Sequence, residues 1–295
     1  MIAVIGPTGV GKSAAALEAA AATGSQIVAA DAFTVYRGMD IGTAKPSAAD
    51  RERVTHHLID VLDPGDDCTV SWFQKTGRAV IGRLRALGTM PLLVGGSGLY
   101  LRALVDGLQF PPTDAGVRDR IAEQYAADPA AGHRALAEQD PSAAAKIEPG
   151  NLRRTVRALE VAELTGQLFS SFRTDWDSYD SIYQPLHLLA VTMPRDALRA
   201  RIDRRVDAMM ANGWLEEAAE LRRRGALSAT ARQAIGYAEL WSHLDGERSL
   251  ADAVDRIKIR TRQYAVRQER WFSADPRVQW VAPQEVVPKV EELRG

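Results

Sequence analysis

The residues most ready to do chemistry stand at the start of the chain, in Gly6-Pro7-Thr8-Gly9-Val10-Gly11-Lys12-Ser13. A Gly-x-x-x-x-Gly-Lys-Ser string that follows an apolar run and opens a helix-forming segment reads as a phosphate cradle. Its glycines let backbone N–H groups converge on phosphate oxygens. The helix N-terminus adds a favourable dipole, Lys12 a point charge, and the Ser13 hydroxyl a ligand for Mg2+. A plain strand-to-helix turn is the competing reading, and the complete motif in its proper context outweighs it. The loop alone does not choose among kinases, GTPases and other transferases. A GTPase would carry an Asn-Lys-x-Asp element, and the two asparagines, Asn151 and Asn212, begin no such string. A kinase for a small metabolite stays open.

Three other places could work beside that cradle, a proton acceptor and donors to the anion. Asp31 follows the apolar Ile27-Val28-Ala29-Ala30, which puts a carboxylate at the carboxyl edge of a sheet, where open α/β folds bind ligands. A helix cap or a solvated loop carboxylate is its plainer reading. Arg201 and Arg205 are four residues apart and share a face if their segment is helical; Asp203 and Asp207 would pair with them if that face were merely solvated. Ser97, after Gly95-Gly96, either approaches a ligand closely or caps a helix.

These side chains need a frame. Short apolar runs at Ile2 to Ile5, Gln26 to Ala30, His57 to Val61 and Pro91 to Val94 alternate with amphipathic segments, the pattern of a parallel sheet covered by helices. Phe110-Pro111-Pro112-Thr113-Asp114 punctuates it. From Val117 to about Leu168 the chain is alanine-rich and helical, with breaks at Asp128-Pro129, Asp140-Pro141 and Pro149-Gly150. His187 to Val191 reads as a further buried strand, followed by helical stretches over 195–224 and 250–272. The expected architecture is an α/β, P-loop NTPase-like parallel sheet core with an inserted all-helical domain: core 1–113 and 185–295, insert 114–184.

Composition bounds the rest. With 295 residues, 46% hydrophobic and 25% charged, the chain can bury a sizeable core without disulfides or structural metal. No apolar run approaches the roughly 20 residues of a membrane helix, and Met1 to Ile5 is too short for a signal-peptide core, so a cytoplasmic, membrane-free and monomeric protein is expected. Cys68, the only cysteine, leaves no internal disulfide, and the five histidines show no metal-ligand spacing. A net charge of −1 does not argue for nucleic acid, so local basic patches must be sought. Arg153, Arg154 and Arg157 cluster without an adjacent acid, and 256–270 holds six basic residues against Glu269, interleaved with Tyr264. Stacking and phosphate contact with RNA account for such a stretch; so does a solvated helix face.

Beyond the phosphate loop, the string Asp31-Ala32-Phe33-Thr34-Val35-Tyr36-Arg37-Gly38-Met39-Asp40-Ile41-Gly42-Thr43-Ala44-Lys45-Pro46 resembles the tRNA dimethylallyltransferases, also called tRNA isopentenyltransferases. Leu92 to Tyr100, Arg157 to Val161, Gln233 to Tyr237 and Thr261 to Gln268 resemble the same family, in the same order and over nearly the whole chain. Ala32 and Thr34 depart from it, standing where the family has Ser and Gln. The resemblance implies transfer of a dimethylallyl group from its diphosphate to the exocyclic amine of an adenosine beside the anticodon, with Mg2+. Asp31 would take the amine proton, and the loop 6–13 with Arg205 or Arg201 would hold the diphosphate. Ser97 would reach the substrate. The residues expected to face tRNA are Asp31, Ala32, Phe33, Thr34, Ser97, Arg118, Arg153, Arg154, Arg157, Arg232, Gln233, Arg262, Gln263 and Arg267. A small-metabolite kinase and a non-catalytic tRNA-binding module that keeps the loop as scaffold are the competing readings.

Overall fold

The structure, a computed structural model, describes residues 1–176, 178–225 and 227–294. It divides into two compact units, Met1–Asp106 with Ser181–Gly295, and Gly107–Asp180.

In the larger unit the apolar runs become β1 (Ile2–Ile5), β2 (Gln26–Ala29), β3 (His56–His57), β4 (Pro91–Gly95) and β5 (His187–Val191), and β6 (Val278–Val281) closes the sheet. Their order is β3-β2-β4-β1-β5-β6, each parallel to its neighbour. Central strands buried on both faces need continuous apolar sequence, and Ile2 to Ile5 and Leu188 to Val191 supply it. Alternate residues divide between two cores. Ile2, Val4, Ile27, Leu92 and Leu189 pack with α1 (Lys12–Thr23) and Val286 and Val290. Ala3, Ile5, Val28, Leu93 and Leu188 face the opposite layer, with Phe73, Leu104, Trp214 and Tyr237.

The remaining helices of this unit are α2 (Ala48–Arg53), α3 (Val70–Ala86) and α4 (Gly98–Val105) before the insert. After it come α9 (Arg195–Ala211), α10 (Trp214–Arg224), α11 (Tyr237–Leu244), α12 (Leu250–Ser273) and α13 (Val286–Arg294). The insert itself holds α5 (Ala115–Tyr125), α6 (Pro129–Gln139), α7 (Pro141–Ala144) and α8 (Leu152–Thr165). Its breaks fall at caps: Asp114, Asp128, Asp140 and Asn151 each accept an N–H of the following first turn. Leu136, Ala143, Ala144, Ile147 and Ala158 form its core.

Two expectations are corrected, and one strand is added. The strand expected over 57–61 pairs only at His56–His57, because Leu58 (φ 62°) and Asp60 (φ 55°) enter the left-handed region and turn the chain away. The helical stretch 195–224 is two helices, parted at Gly213 with φ 93°. Strand β6 was not foreseen, since Val-Gln-Trp-Val is short and leaves Gln279 and Trp280 exposed at the sheet edge.

Candidate functional site

Parallel strands end at one edge, and β2, β4 and β1 are neighbours there. Asp31 two residues past β2, Gly96 one past β4 and the loop 6–11 past β1 therefore meet by topology alone. Within the loop, Val10 is buried in the core and Gly9 packs on Ile202 of α9. Gly11 has φ 99°, and a Cβ there would stand 3.2 Å from both terminal nitrogens of Arg201. Glycine at this position thus meets a backbone need and a guanidinium at once. Lys12 folds back over the loop, its ammonium donating to the Pro7 carbonyl at 3.3 Å.

Gln268 of α12 stitches two of these ends together. Its side-chain oxygen accepts the Thr8 N–H at 2.8 Å and its amide donates to the Gly96 carbonyl at 2.7 Å. A buried amide with both ends satisfied fixes the loop against β4.

Two adjoining cavities open at this edge and share Thr8, Asp31, Thr43, Arg205 and Tyr264 in their walls. One continues past Lys12, Ser13, Thr34, His56 and Gln268. The other continues past Phe33, Ile202, Met209, Trp214 and Ile235. The first is polar and cationic at the phosphate loop, the second mostly apolar and aromatic.

Charge sets the character of the polar end. Burial, and then Arg205, push the Lys12 ammonium down to about 8, while Asp31 opposes them. Burial also holds the Arg205 guanidinium below its usual range, against Asp31 and with Arg201 adding to the fall. Arg205 makes no ion pair among the described residues. Asp31 is the nearby anion, and its Oδ1 accepts the Phe33 N–H at 2.8 Å, leaving Oδ2 without a hydrogen bond among the described residues. A cavity whose wall carries more buried positive charge than one carboxylate offsets suits an anion.

The family matches then decide the chain's kinship. A model described as IPP transferase matches residues 34–275, and one described as isopentenyl transferase matches residues 1–61. The tRNA dimethylallyltransferase of Kineococcus radiotolerans is 46% identical over 289 residues, covering 95% of this chain and 90% of the relative. The chain belongs to the IPP transferase family.

Solved members of the family superpose over the full length. The tRNA isopentenylpyrophosphate transferase of Bacillus halodurans gives a TM-score of 0.72 at 36% identity, covering 100% of this chain and 95% of that one. A eukaryotic dimethylallyltransferase acting on tRNA gives 0.81 at 26% identity, covering 100% and 77%. The six-stranded parallel sheet is therefore the P-loop NTPase-like core of the IPP transferases, and the kinase reading gives way.

The other residues picked from sequence are placed unequally. Phe33 and Thr34 line the cavities, and the Thr34 hydroxyl is buried without a partner; Ala32 packs in the core. Ser97 precedes α4, makes no side-chain cap and lines neither cavity. Arg232 and Gln233 are exposed on a short 3-10 turn, Ala231–Gln233. Along α12, Gln263 and Arg267 are exposed, with Arg267 over the Tyr264 ring, whereas Arg262 reaches Asp203 at 3.3 Å.

Two charge readings need correction. In the insert Arg157 is not without an acidic neighbour: it donates to the Pro111 and Pro112 carbonyls and to the fully buried Glu160, which also holds Arg118 and the Asp114 N–H. Arg118 and Arg157 therefore brace the insert's own fold, and Arg153 and Arg154 stay exposed. The basic run of α12 is likewise neutralised, Arg256 by Asp252, Lys258 by Asp207 and Arg260 by Glu239.

Gln268 and Trp214 have no site role in the sequence reading, and Tyr264 only a place in a stretch that could stack on RNA. Gln268 and Tyr264 lie in the family-like run 261–268 or beside its arginines, but only the folded chain brings them to the cavities.

Proposed function

We propose that this chain transfers a dimethylallyl group from dimethylallyl diphosphate to the exocyclic amine of the adenosine beside the anticodon of tRNA, in the cytoplasm. The observation that carries the reading is the convergence of Lys12, Arg201 and Arg205 on the phosphate loop, with Asp31 in the wall of the same cavity.

The chemistry assigns each group a task. The diphosphate lies on the N–H groups of residues 9–13, since Pro7 has none and that of Thr8 is taken by Gln268, with Lys12 and Arg205 matching its charge and Arg201 closing over Gly11. The five-carbon chain extends toward the aromatic cavity, where Phe33, Trp214 and Tyr264 exclude water. The adenine amine attacks the first carbon of the dimethylallyl group. The carbon–oxygen bond breaks and its electron pair leaves on the diphosphate. One amine proton passes to the unbonded Oδ2 of Asp31. The adenine must leave the anticodon-loop stack to reach it.

The residues suit Mg2+. Ser13 lines the cavity beside Lys12, and among the described residues no group of three or more His, Cys, Asp or Glu stands ready to enclose a metal. The ion would be held by the Ser13 hydroxyl, diphosphate oxygens and water, as Mg2+ sites on phosphates commonly are. When bound it neutralises charge on the leaving diphosphate. We also propose Arg154, Arg232 and Arg267 as tRNA contacts, since they are exposed and have no acidic partner among the described residues.

The test offers the protein with Mg2+ labelled dimethylallyl diphosphate or γ-labelled ATP, each with and without unmodified tRNA and with a panel of metabolite acceptors. Label from the five-carbon chain should appear on tRNA only when both are present, with ATP unable to substitute. Phosphorylation of a metabolite without alkylation of tRNA would overturn the reading.

A further inference from the structure

Residues 37–46 form much of the long family-like string, yet none of them has a task in the chemistry above. They run from the turn after Asp31 to α2, and Gly42 and Thr43 wall the aromatic cavity while Thr43, Ala44 and Pro46 wall the polar one. Thr43 stands, with Asp31 and Arg205, where the two cavities join.

One side chain holds this wall in place. Glu217, in the first turn of α10, accepts three successive backbone N–H groups. Those of Asp40 and Ile41 go to Oε2 at 2.8 and 2.7 Å, and that of Gly42 to Oε1 at 3.0 Å. The Tyr237 hydroxyl donates to the same Oε1 at 2.8 Å. Each carboxylate oxygen thus takes two donors, and three consecutive amides curl round an anion as a nest. The wall is also packed close against its anchor: a Cβ on Gly42 would stand 2.2 Å from Trp214 Nε1 and 2.5 Å from the Tyr237 oxygen. The far end is tied separately by Lys45, whose buried ammonium reaches Asp40 at 2.6 Å and also bonds Asp60 and the Tyr36 carbonyl.

We propose that Glu217 is a positioning residue of the transfer reaction: by anchoring the amides of Asp40, Ile41 and Gly42 it sets how far the Gly42–Thr43 wall stands from Asp31 and Arg205. The inference rests on the alkyl-transfer reading of the site. Glu217 touches neither substrate in this account; it fixes the width of the passage along which the five-carbon chain and the adenine must meet. A reacting pair held about 1 Å out of place can lose on the order of 10²-fold in rate.

The experiment uses three variants of the whole protein. Glu217→Gln leaves one carbonyl oxygen where four donors converge and turns an NH2 group toward the others. Gly42→Ala forces the wall away from Trp214 and Tyr237. Tyr237→Phe removes one donor of the four and is the mildest. Hydrogen exchange at the amides of Asp40, Ile41 and Gly42 is measured first, and it should accelerate in Glu217→Gln whether or not any substrate is turned over. Unchanged exchange there would overturn the anchoring. Single-turnover dimethylallyl transfer, with both substrates saturating and scaled to folded protein, should then fall on the order of 10²-fold in Glu217→Gln and Gly42→Ala and less in Tyr237→Phe. The double variant should lose less than the product of the two singles, since both act through one wall. Pyrophosphate affinity should hold, because the anchored amides are not those of the phosphate loop. A purely structural Glu217 would lower the melting temperature and leave the scaled rate alone. Rates near wild type in both variants, or pyrophosphate affinity lost in parallel, would overturn the proposal. Absence of transfer by the wild type would count against the functional reading, with the exchange result still deciding the anchor.

Discussion

The Lys12 ammonium titrates where few lysines do, and this makes diphosphate affinity a function of pH in an accessible range. Burial and Arg205 lower it from 10.5 to about 8. In the ligand-free protein it is then about nine-tenths charged at pH 7 and about one-tenth at pH 9. Anion binding selects the charged form, so pyrophosphate affinity should fall about tenfold between those pH values, a loss of about 1.3 kcal/mol. A lysine at the ordinary 10.5 would lose only a few per cent. Lys12→Met should bind weakly at every pH and show no such slope. Calorimetric titration with pyrophosphate in two buffers of different ionisation enthalpy measures both affinity and proton uptake. Wild-type uptake should be small at pH 7 and approach one proton near pH 9. The same shift affects folding. The unfolded chain binds the Lys12 proton up to 10.5 and the folded chain only to about 8. Stability should therefore rise with pH through that window, by about 3 kcal/mol at most. An affinity flat from pH 7 to 9, or an equal slope in Lys12→Met, would refute the argument that the site concentrates uncompensated positive charge.

Two further outcomes follow from the site and the insert. Asp31→Asn keeps a partner for the Phe33 N–H but cannot accept the amine proton, so single-turnover transfer should drop about 10²–10⁴-fold with tRNA binding retained; transfer near the normal rate would remove Asp31 from the mechanism. In the insert, Arg157→Ala strips a donor from the buried Glu160 and should destabilise the fold by about 1–3 kcal/mol. Arg154→Ala should leave the melting temperature alone and lower the log–log salt slope of tRNA binding by about 0.7–0.9. The reverse pattern would interchange their roles.

What could be read in the sequence was what depends on neighbours along the chain. The loop Gly6 to Ser13 was legible because its chemistry needs only a strand before it, a helix after it and residues at fixed offsets. Arg201 and Arg205 were legible as one face because helical spacing is local. The caps Asp114, Asp128 and Asp140 were visible as breaks for the same reason. Properties made by distant partners were not. The six basic residues of 256–270 looked like an RNA-binding stretch when charges were counted within the segment, but several of the acids that answer them lie on other elements: Asp207 opposite Lys258, Glu239 opposite Arg260, Asp203 opposite Arg262. Gln268 reads as an ordinary helical amide until its partners appear, 172 and 260 residues away.

The phosphate loop and its surroundings thus differ in how they are specified, and the difference bears on substrate choice. The loop is a local device that many phosphate-using folds share, so it determines that an anion binds but not what becomes of it. Transfer of carbon in place of phosphorus must be decided by what stands beyond the diphosphate. Here that is an aromatic cavity where Phe33, Trp214 and Tyr264 offer no charge to a terminal phosphoryl group. A kinase must surround the transferred phosphoryl with cations or donors. In this chain Lys12 and Arg201 stay at the loop, Arg205 stands where the two cavities join, and beyond it and Asp31 the walls turn apolar. On the proposed reading, selectivity for an allylic chain resides in Phe33 and in side chains drawn from α9, α10 and α12, which follow the insert in sequence. On that reading the loop near the start of the sequence supplies the leaving group's binding site, and Phe33 with the later helices determines what departs from it.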